Sequence, residues 1–457
     1  MFYLAIDLGS SYIKSALINP ENGEILERNR VSVDGKLHSS NELVYEISMR
    51  IIMDTVLSLI ERYKTICKTL KGIVLSTQMH GFVLSDNTYG EDIYISWQDA
   101  RCLGIMPGKG ESYLDHMKHL FSQEKMRTTG VYLKPALGMC NLYALMHERK
   151  FVTGRDAEIY TLGSYIIAKL TGSNICHITN AAPLGLVDIE KKVWRDDLIR
   201  ECGFIKLRFP ALTADLGVCG YYDLDGDRIP VYPDVGDMQC AALGSYAKEG
   251  DVIVNMATAG QIIRISESAD TGSADPGYYE IRPYFNGGFC HVISRMPGGR
   301  NLDVLIDFIR GAGRRIFAMD LPRDEVWERF LEGFRYVEDP GILVDVSYYE
   351  LPEKLSDGAI TGIDRSNFTL DNLMSAAFND IGKVYGHYLR ILSAGRIPAS
   401  RIVFSGGAIR NNPILQQIIV KETGLPGRVS PIEDEVLSGL SQIAAWCAAD
   451  NKDGRGK

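Results

Sequence analysis

The chain has little of what marks secreted, membrane-spanning or nucleic-acid-binding proteins. Its nine cysteines run from Cys67 to Cys447 without a single C-x-x-C pair, which excludes a zinc-ribbon spacing and offers no disulfide framework. Reduced thiols in a cytoplasmic setting are the expectation. No apolar run approaches the ~18 residues that a membrane-spanning helix needs. Strand-forming residues begin at Phe2, which leaves no charged leader region or cleavage site, and a soluble protein is expected. A basic excess is also missing: 49 Lys and Arg stand against 58 Asp and Glu, for a net charge of −9. Neither nucleic acid nor an anionic membrane is therefore an expected partner. A polyphosphate ligand would have to be held by local donors and metal, not by a global field.

What the chain does have is material for large cores. Its 457 residues, 46% hydrophobic and 23% charged, exceed the size at which one core keeps growing, so two domains are expected. Strands and helices alternate throughout, which predicts α/β layers with ligands at strand ends. Ser40 and Asn41 read as helix caps, followed by Leu43, Ile47, Ile51, Val56 and Ile60 at helical spacing. That helix leads to KGIVLSTQMHG, in which Ile73 to Leu75 is a short buried strand.

The first eighteen residues, MFYLAIDLGSSYIKSALI, set two apolar strands around a turn of the kind that holds phosphate. Gly9 lets backbone approach a ligand closely, Ser10 and Ser11 offer hydroxyls and N–H groups, and Lys14 is a nearby point charge. Asp7 at the strand end suits hydrated Mg²⁺, which prefers one or two carboxylates plus waters. The same segment taken alone also reads as an ordinary hairpin. A second strand-turn-strand, VIVNMATAGQIIRIS from Asp251, repeats the design with Thr258 and Gly260 in the turn. Between them, VYPDVGDMQCAALG breaks periodicity and opens a small-residue helix, which sets a domain boundary near Gly244. The expected division is 1–244, 245–450 and a tail, 451–457. In the second half GGRNLDVLIDFIRG predicts a glycine turn opening a helix, and Leu370, Leu373, Met374, Ala377, Phe378, Ile381, Val384, Tyr385 and Tyr388 trace one face of a long helix. RIVFSGGAIRNN then runs a strand into Gly406-Gly407 and a helix start that favours phosphate.

Five segments, Asp7-Leu8-Gly9-Ser10-Ser11 with Lys14, Gln78-Met79-His80-Gly81, Trp97-Gln98-Asp99-Ala100-Arg101, Gly236-Asp237-Met238-Gln239 and Gly406-Gly407-Ala408 with Arg410-Asn411, follow the order seen in FGGY-family carbohydrate kinases. The resemblance covers nearly the whole chain, and within the family the pattern is most similar to sedoheptulokinases, with xylulokinases second. It implies two actin-like, ribonuclease-H-like α/β domains with the site in the cleft between them. It also implies ATP- and Mg²⁺-dependent phosphorylation of a ketose at its terminal primary hydroxyl. By resemblance Asp237 is the catalytic base, and Asp7 and Asp237 are the metal carboxylates. Gly9, Ser10, Ser11, Lys14, Thr258, Ala259, Gly406, Gly407, Ala408 and Asn411 would bind the nucleotide. Gln78, Met79, His80, Trp97, Asp99, Arg101 and Asn286 would join Asp237 around the sugar, with Arg300-Asn301 as further contacts. One departure stands out, since the family's Gly-Thr-Ser is here Ala257-Thr258-Ala259. Homodimers are common among such kinases, so the resemblance leaves a homodimer as an expectation.

Other readings stay open at this level. Asp237 also reads as a plain helix cap, Asp99 with Arg101 as a solvated pair, Asn286 and Arg300-Asn301 as turn residues, and Arg410 as a surface cation. His116 and His119, spaced i and i+3, read as one face of a surface helix, with metal binding as the alternative. Glu433-Asp434-Glu435 reads as N-terminal stabilisation of a helix. An actin- or chaperone-type ATPase and a catalytically silent sugar binder are the alternatives from other classes.

Overall fold

Two sheets of one plan organise the computed structural model, which describes residues 2–33, 35–85, 92–148, 157–270, 279–353, 356–393 and 399–452. The near-continuous apolar segment Phe2–Leu8 (β1) is buried along almost its whole length, as a strand covered on both faces must be. It hairpins into Tyr12–Asn19 (β2) and Glu24–Ser32 (β3), with Asp7 opposite Lys14. On its other side β1 runs parallel to Leu70–Thr77 (β4), and β4 runs parallel to Asp227–Gly236 (β6), which carries the antiparallel edge strand Gly220–Leu224 (β5). The sheet order is β5-β6-β4-β1-β2-β3.

The second sheet repeats this. Asp251–Met256 (β7) hairpins into Gly260–Ser266 (β8), which pairs with Phe289–Met296 (β10), itself flanked by the edge strand Tyr279–Pro283 (β9). Arg401–Ser405 (β11) and Gly427–Val429 (β12) add in parallel beyond β7, giving β9-β10-β8-β7-β11-β12. Without the extra edge strands β5 and β9, both sheets have an antiparallel three-strand meander followed by two parallel strands. That is the duplicated ribonuclease-H-like plan of actin-like proteins.

Five helices matter for the site: Met49–Ile66 (α1), Asp237–Gly244 (α2), Gly299–Phe317 (α3), Leu370–Ser393 (α4) and Glu435–Lys452 (α5). The expected stripe on α4 is core from Leu373 onward, with Leu373, Ala377, Phe378, Ile381 and Tyr385 packed against the second sheet, while Leu370 at the first residue of the helix is exposed. The start of α1 differs from the expectation. Ser40 and Asn41 cap nothing; Glu46–Ser48 is a strand paired with Ile93–Ile95 in a smaller sheet, and the helix begins at Met49. Ile47 satisfies a helical spacing by coincidence, and a distant partner strand takes its backbone hydrogen bonds.

The last helix crosses between the halves. Leu437, Leu440 and Ile443 of α5 pack with Tyr3, Ala5 and Ile18 of the first sheet rather than with the second. Two glycines permit this approach: a Cβ on Gly244 would fall 1.8 Å from the Glu435 carbonyl oxygen, and one on Gly439 2.0 Å from that of Cys240. Helices α2 and α5 therefore touch backbone to backbone. Residues 453–457 of the expected tail lie outside the described residues. All nine cysteines are free, and eight are buried. No helix among the described residues is long and apolar enough to cross a membrane.

This crossing sets an expectation for stability. Gly439→Ala should lower unfolding free energy by about 1–3 kcal/mol through overpacking. Gly311→Ala, on α3 with nothing within 4 Å of the new methyl, should raise it by roughly 0.5–1 kcal/mol. Urea titration of both variants checks the contrast.

Candidate active site

Parallel strands β1, β4 and β6 end side by side, and their ends carry three of the motifs. Asp7 pairs in register with Ser76 of β4 and Gly236 with Thr77, so Asp7, Gln78-Met79-His80 and Asp237 emerge at one sheet edge. Segments about 160 residues apart in sequence converge because α/β crossovers return the chain in the same direction.

Asp7 is 4% exposed, and its Oδ1 has no hydrogen-bond partner among the described residues. Burial pushes its pKa up to about 7, with the charges of Asp237 and Asp434 adding to the effect and Lys14 opposing it. Asp237 opens α2 and receives the Met238 N–H on Oδ1 at 2.7 Å. Burial raises its pKa to about 6, against the Met238 hydrogen bond and the charge of Arg282. Three residues earlier, Asp234 is fully buried and anchors the end of β6. It accepts hydrogen bonds from Thr161 Oγ1 (2.9 Å), the His177 N–H (3.2 Å) and Asn180 Nδ2 (2.6 Å).

Around this pair, Gln78 is buried, donates to the Gly9 carbonyl at 3.4 Å and leaves Oε1 without a partner among the described residues. Met79 packs with Met238, Ile253 and Ile263 and forms an apolar wall. His80 stands at φ 70 and uses both ring nitrogens. Nδ1 lies 3.0 Å from the Pro183 carbonyl, and Nε2 lies 3.3 Å from Arg282 Nη2. Arginine can only donate, so Nε2 is the acceptor and Nδ1 carries the proton. The ring is neutral, as burial and the charges of Lys134 and Arg282 require. Trp97 is 40% exposed.

Several expected contacts are committed elsewhere. Asp99 and Arg101 are buried and paired with each other through Nε (2.8 Å) and Nη2 (2.7 Å), and Glu46 takes a further bond from Nη2 at 2.8 Å. The pair is sealed rather than solvated, and it fixes the turn that carries Trp97. Asn286 is exposed at φ 56 in the turn between β9 and β10, a turn residue. Asn301 caps α3 by accepting from the Gly298 N–H, and the Arg300 guanidinium lies over the Tyr349 ring. Arg410 binds the Ser430 carbonyl and Glu435, each at 2.8 Å. His116 and His119 lie on a helix, Tyr113–Leu120, and both contact Glu111. Among the described residues no group of three or more His, Cys, Asp or Glu can hold a metal.

The turn of the first hairpin is closed by Gly9 N–H to the Tyr12 carbonyl at 3.1 Å, and Ser10 and Ser11 stand at its open side. Lys14 is tied to Asp434 at 3.0 Å. Asp434 also accepts from the Leu437 N–H, so the acidic triplet both caps α5 and delivers a carboxylate to the first hairpin. In the second half, three turns meet at the ends of β7 and β11. Gly299 and Arg300 N–H groups bond the Ala257 and Thr258 carbonyls at 2.8 and 3.0 Å, and Gly299 borders Ala408. Thr258 and Ala259 are exposed, Gly406 sits at φ 88, and the space over Gly407 is open. The helix after Gly406 is a four-residue turn, Gly407–Arg410, with Asn411 at its end.

A model of the FGGY family of carbohydrate kinases, N-terminal domain, matches residues 2–244. The chain belongs to the FGGY family of carbohydrate kinases. It is accordingly a phosphotransferase with a sugar hydroxyl as acceptor. Sedoheptulokinase from Homo sapiens is 22% identical over 468 residues, 93% of each chain. Among solved structures, glycerol kinase from Plasmodium falciparum with ADP has a TM-score of 0.82 at 17% identity, covering 98% of this chain and 89% of that one. Xylulose kinase from Rhodospirillum rubrum has a TM-score of 0.81 at 18% identity, covering 99% and 90%. Likenesses at this identity establish the shared two-domain fold.

Within this FGGY kinase the residues Arg282, Glu280, Lys134 and Asp434 join the site without any local signal. Glu280 pairs with both Lys134 and Arg282, and the partners lie more than a hundred residues apart for Lys134 and His80. The Asp7 and Asp237 carboxylates, with one oxygen of Asp7 unused, fit a hard cation that keeps waters or substrate phosphates in its shell.

The raised carboxyls bind protons more tightly in the folded chain than in the unfolded one. Their contribution to stability is therefore greatest below the ordinary carboxyl pKa and falls as pH rises toward about 7. Metal-free protein should lose melting temperature between about pH 4 and 7, and Mg²⁺ should restore more at the upper end. Thermal melts should show a flatter pH slope and a smaller Mg²⁺ response in Asp7→Asn.

Proposed function

We propose that this protein transfers the γ-phosphoryl group of ATP to the terminal primary hydroxyl of a ketose, with sedoheptulose giving sedoheptulose 7-phosphate as the leading assignment. The observation that carries it is Asp237, a half-buried carboxyl at a helix start whose Oδ1 takes the Met238 N–H and whose charge raises the pKa of Asp7. A sugar hydroxyl is a poor nucleophile, and an in-line displacement has to lose one proton. The hydroxyl oxygen forms the new bond to phosphorus while its proton passes to the Asp237 oxygen not engaged by Met238. The bond to the bridging oxygen breaks, and ADP leaves. A pKa raised to about 6 suits a base that must work near neutrality and then release its proton.

Asp7 and Asp237 would hold Mg²⁺, which when bound neutralises charge on the transferring group. Ser10 and Ser11, with the N–H groups of their turn, would receive the phosphoryl oxygens. Lys14 contributes less charge than its type suggests, because Asp434 offsets it. Thr258, Ala259, Gly406, Gly407, Ala408 and Asn411 would border the nucleotide. Gln78 Oε1, the Met79 wall and the exposed face of Trp97 would receive the sugar, with His80 behind them. Sedoheptulose leads because the motifs resemble that branch and because the human sedoheptulokinase spans 93% of both chains. D-Xylulose is the second reading, favoured by the fold shared with xylulose kinase.

Asp237→Asn should fold and bind ATP while kcat falls about 10²- to 10⁴-fold. Sugar-dependent ADP release from sedoheptulose, D-xylulose, D-ribulose and L-rhamnulose ranks the substrates. Near-normal turnover in the variant would remove Asp237 from this role, and ADP release indifferent to every sugar would favour an actin-like ATPase.

A further inference from the structure

His80 has nothing left to donate, since its one ring proton goes to Pro183 and its lone pair takes Arg282. The donor at this corner is Arg282 itself. A guanidinium has five N–H groups. The Nε group goes to Glu280 Oε2 at 2.9 Å, and Nη2 serves both Glu280 and His80. Nη1 has only the thioether of Met238, 3.4 Å away, among the described residues. Thioether sulfur is a weak acceptor. Arg282 is 4% exposed, so a charged NH₂ group is buried beside Met238, the residue directly after Asp237, with hydrogen-bonding capacity in reserve.

The second half holds Arg282 there by docking its edge strand on the first. The Ile281 N–H donates to the Gly130 carbonyl at 2.7 Å, and Gln239 Nε2 donates to the Pro283 carbonyl at 3.1 Å. Gly130, at φ 69, is required: a Cβ there would fall 2.0 Å from the Ile281 carbonyl oxygen. Lys134 holds Glu280, and Glu280 grips the guanidinium fork.

We infer that Arg282 is a sugar-binding residue contributed by the second half, its Nη1 donating to a hydroxyl or carbonyl oxygen of the ketose seated at Asp237. His80, in turn, orients the guanidinium and is a positioning residue. This rests on the ketose-kinase reading. Arg282 supplies recognition that discriminates strongly, because a buried donor without its acceptor is costly.

The test is sugar kinetics on the full chain. Arg282→Met should raise the KM for the preferred ketose about 10- to 100-fold and leave the KM for ATP within about twofold. Arg282→Lys, which still donates, should recover part of the loss. D-Xylulose and its monodeoxy analogues supply a readout that misfolding would not mimic. One analogue should bind less well than the parent in the wild type and equally well in Arg282→Met. Since that variant leaves Glu280 with one cation, the double variant Glu280→Gln/Arg282→Met is measured beside it. Unchanged sugar KM in all three variants, with every deoxy penalty retained, would overturn the inference alone. A wild type without sugar-stimulated ADP release would overturn the kinase reading and this inference with it.

Discussion

Two carboxylates, Asp7 near the end of β1 and Asp237 just past the end of β6 with β4 between those strands, are the constraint around which the rest of the structure is arranged. Burial in surroundings that solvate charge poorly holds both carboxyls above the ordinary range, Asp7 at about 7 and Asp237 at about 6, and the charge of Asp237 raises Asp7 further. Such a pair persists only if the backbone leaves it no room to separate. Asp234 provides that restraint on one side, pinned by Thr161, His177 and Asn180. On the other side, β1 is locked between β2 and β4 in unbroken register at Asp7. A divalent cation held by the two carboxylates would relieve the repulsion.

Charge around the pair is balanced locally, in line with a chain of net charge −9. Lys14 answers Asp434, Arg282 and Lys134 answer Glu280, and Arg101 answers Asp99 and Glu46. The underused donor among these groups is Arg282 Nη1, beside Met238 and Asp237. A polar substrate with many hydroxyls matches that distribution better than a protein partner would. The contacts that build this corner come from both halves, so recognition and the docking of β9 on the first half are one structural event.

Much of this is legible along the chain, and the limits have physical causes. Both hairpins can be read because their strands, turn residues and charged groups are contiguous, and the long α4 can be read because one period runs through it. The start of α1 misleads because Ile47 fits a helical period while its hydrogen bonds go to Ile93–Ile95. The sealed Asp99–Arg101 pair depends on Glu46, and the neutral His80 depends on Arg282, 202 residues away. Helix α5 reads as part of the second half, yet Gly244 and Gly439 bring it against α2 and the first sheet.

The strand-turn-strand units, the family, and the two aspartates on which phosphoryl transfer would turn are written in the chain itself, because those signals are short and local. Tertiary structure alone decided which charges are free to meet a ligand. Ion pairing and hydrogen-bond valence are settled between groups far apart in the chain, and no local pattern records that Lys14 is offset, that Asp99 and Arg101 are committed to each other, or that Arg282 keeps one nitrogen in reserve.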